Sequence, residues 1–173
     1  TLVGKFNRLG QSIEGLQAQV DQDISRAIKT VNLYAQRIAT LNSSITTGEV
    51  SGDTENDLRD ERQRNIESLS EQLGTSVLEE ENGASLVIVA KSVPLIARGI
   101  ANKLVGIQDP DNVVGDSPPT ALQRVNFVDK GNSRIDVTSR ITGGKIGGLI
   151  EFRDTTLKNL LAEIDTIAAT IVN

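Results

Sequence analysis

Apolar residues near the start of the chain fall at Phe6, Leu9, Ile13, Leu16, Val20, Ile24, Ala27, Val31, Tyr34, Ile38, Leu41 and Ile45, in steps of three and four. Two steps of four meet at Val20, so the pattern is a heptad seam with one stutter. Gln, Ser, Asp, Lys and Arg fill the opposite face, and no Pro occurs before Pro94. The spacing predicts one helix over residues 6–45, about 60 Å long at ~1.5 Å per residue. Such a helix is too long for a small globule, so its seam must lie on other helices, of this chain or of its neighbours. Gly10 and Gly15 weaken the first turns by about 0.5–1 kcal/mol each against Ala.

The stretch TTGEVSGD, residues 46–53, breaks this helix. Thr54 and Asp57 then match a capping box, with Glu55 and Asp57 near the positive end of a second helix. That helix reads ENDLRDERQRNIESLSEQL, residues 55–73, with Leu58, Ile66, Leu69 and Leu73 turned to the core. Arg62 takes a position where the seam calls for an apolar residue, and Gly74 is the expected C-cap.

Residues 75–141 change period. TSVLEEENGASLVIVA reads as two strands around Asn82-Gly83, a strong hairpin signal. VPLIARG is a short extended piece, and GIQDPDNVVGDSPPTA, with three of the four prolines, reads as a loop. LQRVNFVDKGNSRIDVTSRI predicts a second hairpin with DKGN as its turn and Val125, Phe127, Ile135 and Val137 on its apolar face. From residue 145 the helical period returns, and Ile146, Leu149, Ile150, Leu157, Leu160, Leu161, Ile164, Ile167, Ala168 and Ile171 form one stripe. The expected fold is α+β, mainly α: an elongated bundle of three long helices with a small antiparallel β-hairpin lobe inserted between helices 2 and 3. One composite domain is expected, with a helical part over 1–74, the β lobe over 75–142 and the third helix over 143–173.

Composition narrows the chemistry. Cys and His are both absent, which removes thiol nucleophiles, disulfides, imidazole bases and the usual zinc ligands together. Missing Cys is compatible with a place outside the cytosol. Met is absent too and the chain opens at Thr1, as expected of a piece of a longer protein. Residues 53–81 hold ten acids and three Arg, a balance of −7; the remainder carries +2, which makes the net −5. That balance, with only four aromatic residues and no basic stripe, argues against nucleic acid. The longest apolar run, SLVIVA, is far too short to span a bilayer.

Each candidate site fails on spacing. In GGKIGGLIEFRD, residues 143–154, a phosphate loop would need Gly at Ser139 and Ser or Thr at Ile146, while Lys145 and Ile146 displace the second glycine of a dinucleotide loop. Asp109, Asp111 and Asp116 lack EF-hand spacing and a closing Glu. Asp57, Asp60, Glu61 and Glu67 line an exposed helix where nothing raises a carboxyl pKa. No catalytic residue, metal, cofactor or small-molecule ligand is expected. Gly143 and Gly144 are read as leaving the hairpin, Gly147 and Gly148 as allowing close backbone approach. A carboxylate-based metal-binding or hydrolase domain remains the alternative of another class.

Three stretches carry a resemblance. IKTVNLYAQRIATLNSSI (28–45), NDLRDERQRNIESLSEQLGTSV (56–77) and GGKIGGLIEFRD (143–154) resemble, in order and spacing, motifs of the flagellar hook-associated protein 1 family, the hook–filament junction proteins of bacteria. The motif positions are Asn56, Asp57, Leu58, Asp60 and Arg62, then Gly143, Gly144, Gly147, Gly148, Phe152, Arg153 and Asp154. Gln63 departs from the family's usual Asp after the motif Arg, and Tyr34 from a small residue. The resemblance implies a structural, non-catalytic subunit outside the cell that joins hook to filament by axial self-assembly. Its implied partners are other copies in a ring, the hook protein and the second junction protein. It also implies export through the flagellar type III channel, and a chaperone that holds a C-terminal segment absent here. By the same comparison the tube-lining terminal helices are absent and the isolated piece is monomeric. Phe152 is expected to anchor the third helix, with Arg153 and Asp154 clamping the joint. Another axial protein, the second junction protein or a flagellin, is the nearest alternative.

Overall fold

The computed structural model describes residues 2–50, 55–80, 82–115 and 118–172. Helix α1 (Leu2–Val50) is longer than its apolar seam, roughly 70 Å at ~1.5 Å per residue. It runs through Thr46-Thr47-Gly48 and ends at Val50, within the 46–53 stretch predicted to break it. The Thr46 and Thr47 hydroxyls turn back to the carbonyls of Asn42 and Ser43, so both threonines satisfy themselves within the helix.

The buried line of α1 also departs from the predicted one. It passes through Ile13, Gln17, Val20, Ile24, Ile28, Val31, Ala35, Ile38, Asn42 and Ile45. Leu9 and Leu16, assigned to the seam, are exposed, and the polar Gln17 is buried in place of Leu16. After Val20 the predicted Ala27, Val31, Ile38, Leu41 and Ile45 are all buried, and Ile28, Ala35 and Asn42 beside them widen the seam.

Helix α2 (Asn56–Gln72) follows. Its N-cap is Glu55, which makes no side-chain capping bond; the expected cap, Thr54, lies outside the described residues. Ile66, Leu69 and Leu73 are buried as expected, but Leu58 is only half-buried. The helix ends because Leu73 goes extended, at φ −153° and ψ 123°. Gly74 has no positive φ and is therefore not the left-handed C-cap expected. A Cβ there would sit in ordinary contact, 3.4 Å from the Gly143 Cα, so packing does not demand the glycine either.

The β region is larger than two hairpins. Strands β1 (Thr75–Glu79), β2 (Ser85–Val89), β3 (Val93–Ala97) and β4 (Ile100–Ala101) form an antiparallel sheet in chain order. The β1–β2 turn is at Asn82-Gly83, with Gly83 at φ +77°. Strands β5 (Lys103–Val114), β6 (Thr120–Val128) and β7 (Arg134–Asp136) form a second antiparallel sheet. Much of β5 is the segment read as a loop. Its pairing jumps from Gln108↔Gln123 to Val113↔Ala121, so Pro110 and its turn-forming neighbours occupy an irregularity in the strand, where a missing N–H costs no ladder bond. Val125, Phe127 and Val137 are buried, whereas Ile135 is 42% exposed.

The last helical stretch is continuous over 144–172 but carries a π-turn. A short 3₁₀ turn (Thr138–Arg140) leads into α3 (Gly144–Glu151), a π-turn (Phe152–Thr156) and α4 (Leu157–Val172). The predicted stripe is only partly buried, since Leu160 and Ile167 lie exposed. α1 contacts α2, α3, α4 and both sheets, so its seam is covered by strands as well as by helices. Its middle joins α2, both sheets and α3 in one main core. Ile13 packs with Leu157 and Ile164 in a smaller one.

Candidate functional site

One face of α1 carries three polar residues about three turns apart, at 3.6 residues per turn. Each pins the backbone of a different strand. The Asn42 amide donates to the Ser85 carbonyl at 2.8 Å, and the Ser85 N–H donates back to Asn42 Oδ1 at 3.0 Å. Asn32 does the same with Leu104, at 2.8 Å in both directions. Asp21 Oδ1 accepts the Gln123 N–H at 2.9 Å, and the Gln123 amide reaches the Asp21 carbonyl at 2.6 Å. Buried backbone groups must find partners, and here a helix supplies them to β2, β5 and β6.

Two of these pins are reinforced by buried arginines, both from the recognised motifs. Arg62, 5% exposed, donates through Nη1 to Asn42 Oδ1 at 3.0 Å and to the Gly83 carbonyl at 2.6 Å. Its Nη2 meets Glu79 at 3.2 Å. Arg62 therefore ties α1, α2 and the β1–β2 turn together, which explains an arginine in an apolar slot. Burial pushes its pKa below the usual arginine value, against the pull of Glu79. Arg59 beside it bonds Glu49 and Glu79, and its bond to Glu49 does most to raise its pKa.

Arg153, 1% exposed, is among the largest fully buried side chains. Its Nε and Nη2 donate to the two carboxylate oxygens of Asp154, each at 2.8 Å. Nη1 bonds Asp21 and, at 3.1 Å, the Gln123 carbonyl. The Arg153 carbonyl accepts the Gln17 amide at 3.1 Å. Desolvation works to lower its pKa, but the hydrogen bonds and charges of Asp154 and Asp21 outweigh it and raise it. One guanidinium thus fastens the π-turn to α1 and β6 at once, a use of its planar fork that lysine cannot reproduce.

The other motif positions divide. Gly144 sits at φ +68°, and a Cβ on it would lie 2.6 Å from the Leu73 nitrogen. A Cβ on Gly147 would come within 2.8 Å of the Thr142 carbonyl carbon, whereas one on Gly148 would meet nothing within 4 Å. The expectation of close approach at Gly148 is therefore wrong. Phe152 is 39% exposed and does not anchor the helix; Arg153 occupies the interior instead. Asn56, Asp57 and Asp60 are exposed. Among the described residues Asp60 forms no ion pair with Arg64.

The acidic loop candidate is also structural. Asp109 takes Arg124 Nε at 2.6 Å and the Asp111 N–H at 3.1 Å, while Asp116 lies outside the described residues. No group of three or more Asp or Glu is placed to hold a metal among the described residues. No described helix is long and apolar enough to cross a membrane.

Sequence reasoning missed Gln17, Asp21, Asn32, Asn42 and Gln123 as joint-forming residues. The available signal was polar side chains beside or inside an apolar seam. Asn32 and Asn42 even lie within the first recognised motif.

The chain is 27% identical over 169 residues to flagellar hook-associated protein 1 of Salmonella typhimurium, covering 94% of this chain and 29% of that protein. It is 25% identical over 169 residues to its Escherichia coli counterpart, covering 94% and 30%. The chain thus spans under a third of the relatives it matches. The solved structure of the flagellar hook junction protein FlgK from Burkholderia pseudomallei superposes with a TM-score of 0.76 at 23% identity, over 90% of this chain and 27% of that one, which shows a shared fold. The family model for the helical domain of flagellar hook-associated protein FlgK matches residues 1–173, and the chain belongs to that family.

Proposed function

We propose that this chain is the helical domain of a structural subunit at the junction between flagellar hook and filament, built by axial self-assembly and without catalysis. The observation that carries the reading is the family match over every residue of the chain. The two motif arginines support it from within. Both are spent on internal joints.

In this reading the body of the domain, where α1 meets both sheets, is a stiff wall element. Three pins from α1 fix both sheets, and exposed apolar side chains such as Leu33, Leu160 and Ile167 offer contact surface to neighbouring subunits. The partners are other copies in a ring, the hook protein on one side and the second junction protein on the other. An export chaperone acts through a segment outside this chain. The place of action is outside the cell, after passage through the flagellar type III channel.

The test is position along the flagellum. An epitope placed in the exposed 130–134 turn of the whole protein, followed by immunogold microscopy, should decorate only the hook–filament boundary. Label along the filament would make the subunit flagellin-like instead.

A further inference from the structure

A polar layer separates the two apolar cores. The main core ends at Val20 on α1 and Ile150 on α3, and the small one begins at Ile13 and Leu157. Between them Gln17 and Arg153 sit at matching levels, 0% and 1% exposed. On both sides of the seam, the positions an apolar core would fill are polar.

Three other features fall at or beside this level. The π-turn Phe152–Thr156 interrupts the helix there, and such turns are a recognised cause of helix kinks. Gly15 lies just beyond it on α1, and a Cβ there would meet nothing within 4 Å. This glycine serves no close packing, so its effect is to loosen the helix. Gln17 Oε1 is buried without a hydrogen-bond partner among the described residues, so water admitted by bending would satisfy it.

We propose that this layer is a hinge about which a two-helix arm, residues 2–16 with residues 157–172, swings on the body. The guanidinium of Arg153 stays with the body, because its Asp21 and Gln123 partners lie on that side. The bond from the Gln17 amide to the Arg153 carbonyl ties the two helices together at the pivot itself. The arm follows easily, since its core is a small satellite of the main one. The hinge stands on these contacts alone and does not depend on the junction reading.

The chain has no Cys, so introduced pairs can be spin-labelled cleanly for pulsed EPR. Arg37→Cys with Glu163→Cys spans the layer. Arg37→Cys with Arg140→Cys lies within the body, and Arg8→Cys with Glu163→Cys within the arm; all these positions are exposed. The cross-layer distance distribution should be about twice as broad as either control, a width expected of a domain-scale hinge. It should narrow toward them when Gly15→Ala is added. A cross-layer distribution as narrow as the body pair overturns the hinge. So does an equally broad distribution within the arm, which would be fraying of helix ends.

Discussion

Asn32 holds both backbone groups of Leu104, accepting from its N–H and donating to its carbonyl at 2.8 Å each. A helix side chain here completes the hydrogen bonding of strand β5. Replacing it with Ala leaves two half-buried backbone groups unpaired, at ~1–3 kcal/mol in all. Asn42→Ala should cost more than Asn32→Ala, because it also strips a partner from the buried Arg62. Urea unfolding of the two variants checks both the loss and its order.

Arg153→Ala removes the centre of the second joint. It leaves Asp21 and Asp154 without their counter-charge and the Gln123 carbonyl without its donor. Breaking a buried ion pair from one side costs ~3–5 kcal/mol. Arg153→Lys should recover only a part, since an ammonium cannot grip Asp154 with two parallel bonds while also reaching Asp21. Arg62→Ala should cost less, because its acidic partner Glu79 is 57% exposed. Chemical denaturation of the three variants gives the ranking directly.

Two neighbouring glycines should respond in opposite directions to alanine. Gly144→Ala places a Cβ in the left-handed region, at a cost of roughly 1–2 kcal/mol, and drives it into the backbone at Leu73. Gly148→Ala meets open space in a helical position, so it should stabilise by about 0.5–1 kcal/mol. Thermal melts of the pair separate a packing glycine from a merely tolerated one.

Acid should act on the second sheet through Asp109. The hydrogen bond from Arg124, with help from the Asp111 N–H, holds its carboxyl below the usual carboxylate range. The pair's contribution is therefore complete above the unfolded value near pH ~4 and is lost as pH falls through the lower folded value. Asp109→Asn should flatten the stability profile below pH ~4 and leave the neutral arm of the profile parallel to that of the parent. An unchanged acid limb would mean that the pair is not formed in solution.

Period made much of this fold legible. The long seam, the Asn82-Gly83 hairpin and the return of a helical stripe after residue 145 are repeating patterns, and each yields an element. Arg62 was visible as an arginine in an apolar slot. The failures have local causes. Pro110 and its turn-forming neighbours read as loop because composition alone does not reveal that an irregular strand can absorb them. Leu16 was chosen over Gln17 because hydrophobicity decides phase in a pattern search, whereas the joint at Arg153 decides it in the molecule. The π-turn left no periodic trace, being one extra residue in one turn. The joints themselves were illegible, since Asn32 meets Leu104 across 72 residues and Asp21 meets Gln123 across 102. No local pattern pairs a side chain with a distant backbone group.

The most direct measurement of the central claim is made on cells. Deleting the whole gene in the bacterium that encodes it, then imaging the flagella by electron microscopy and assaying the medium for flagellin, asks whether the subunit forms the junction. The account predicts bare hooks and flagellin shed into the medium, both restored by the intact gene. Normal filaments on the deleted cells would contradict it and assign this helical scaffold to another assembly.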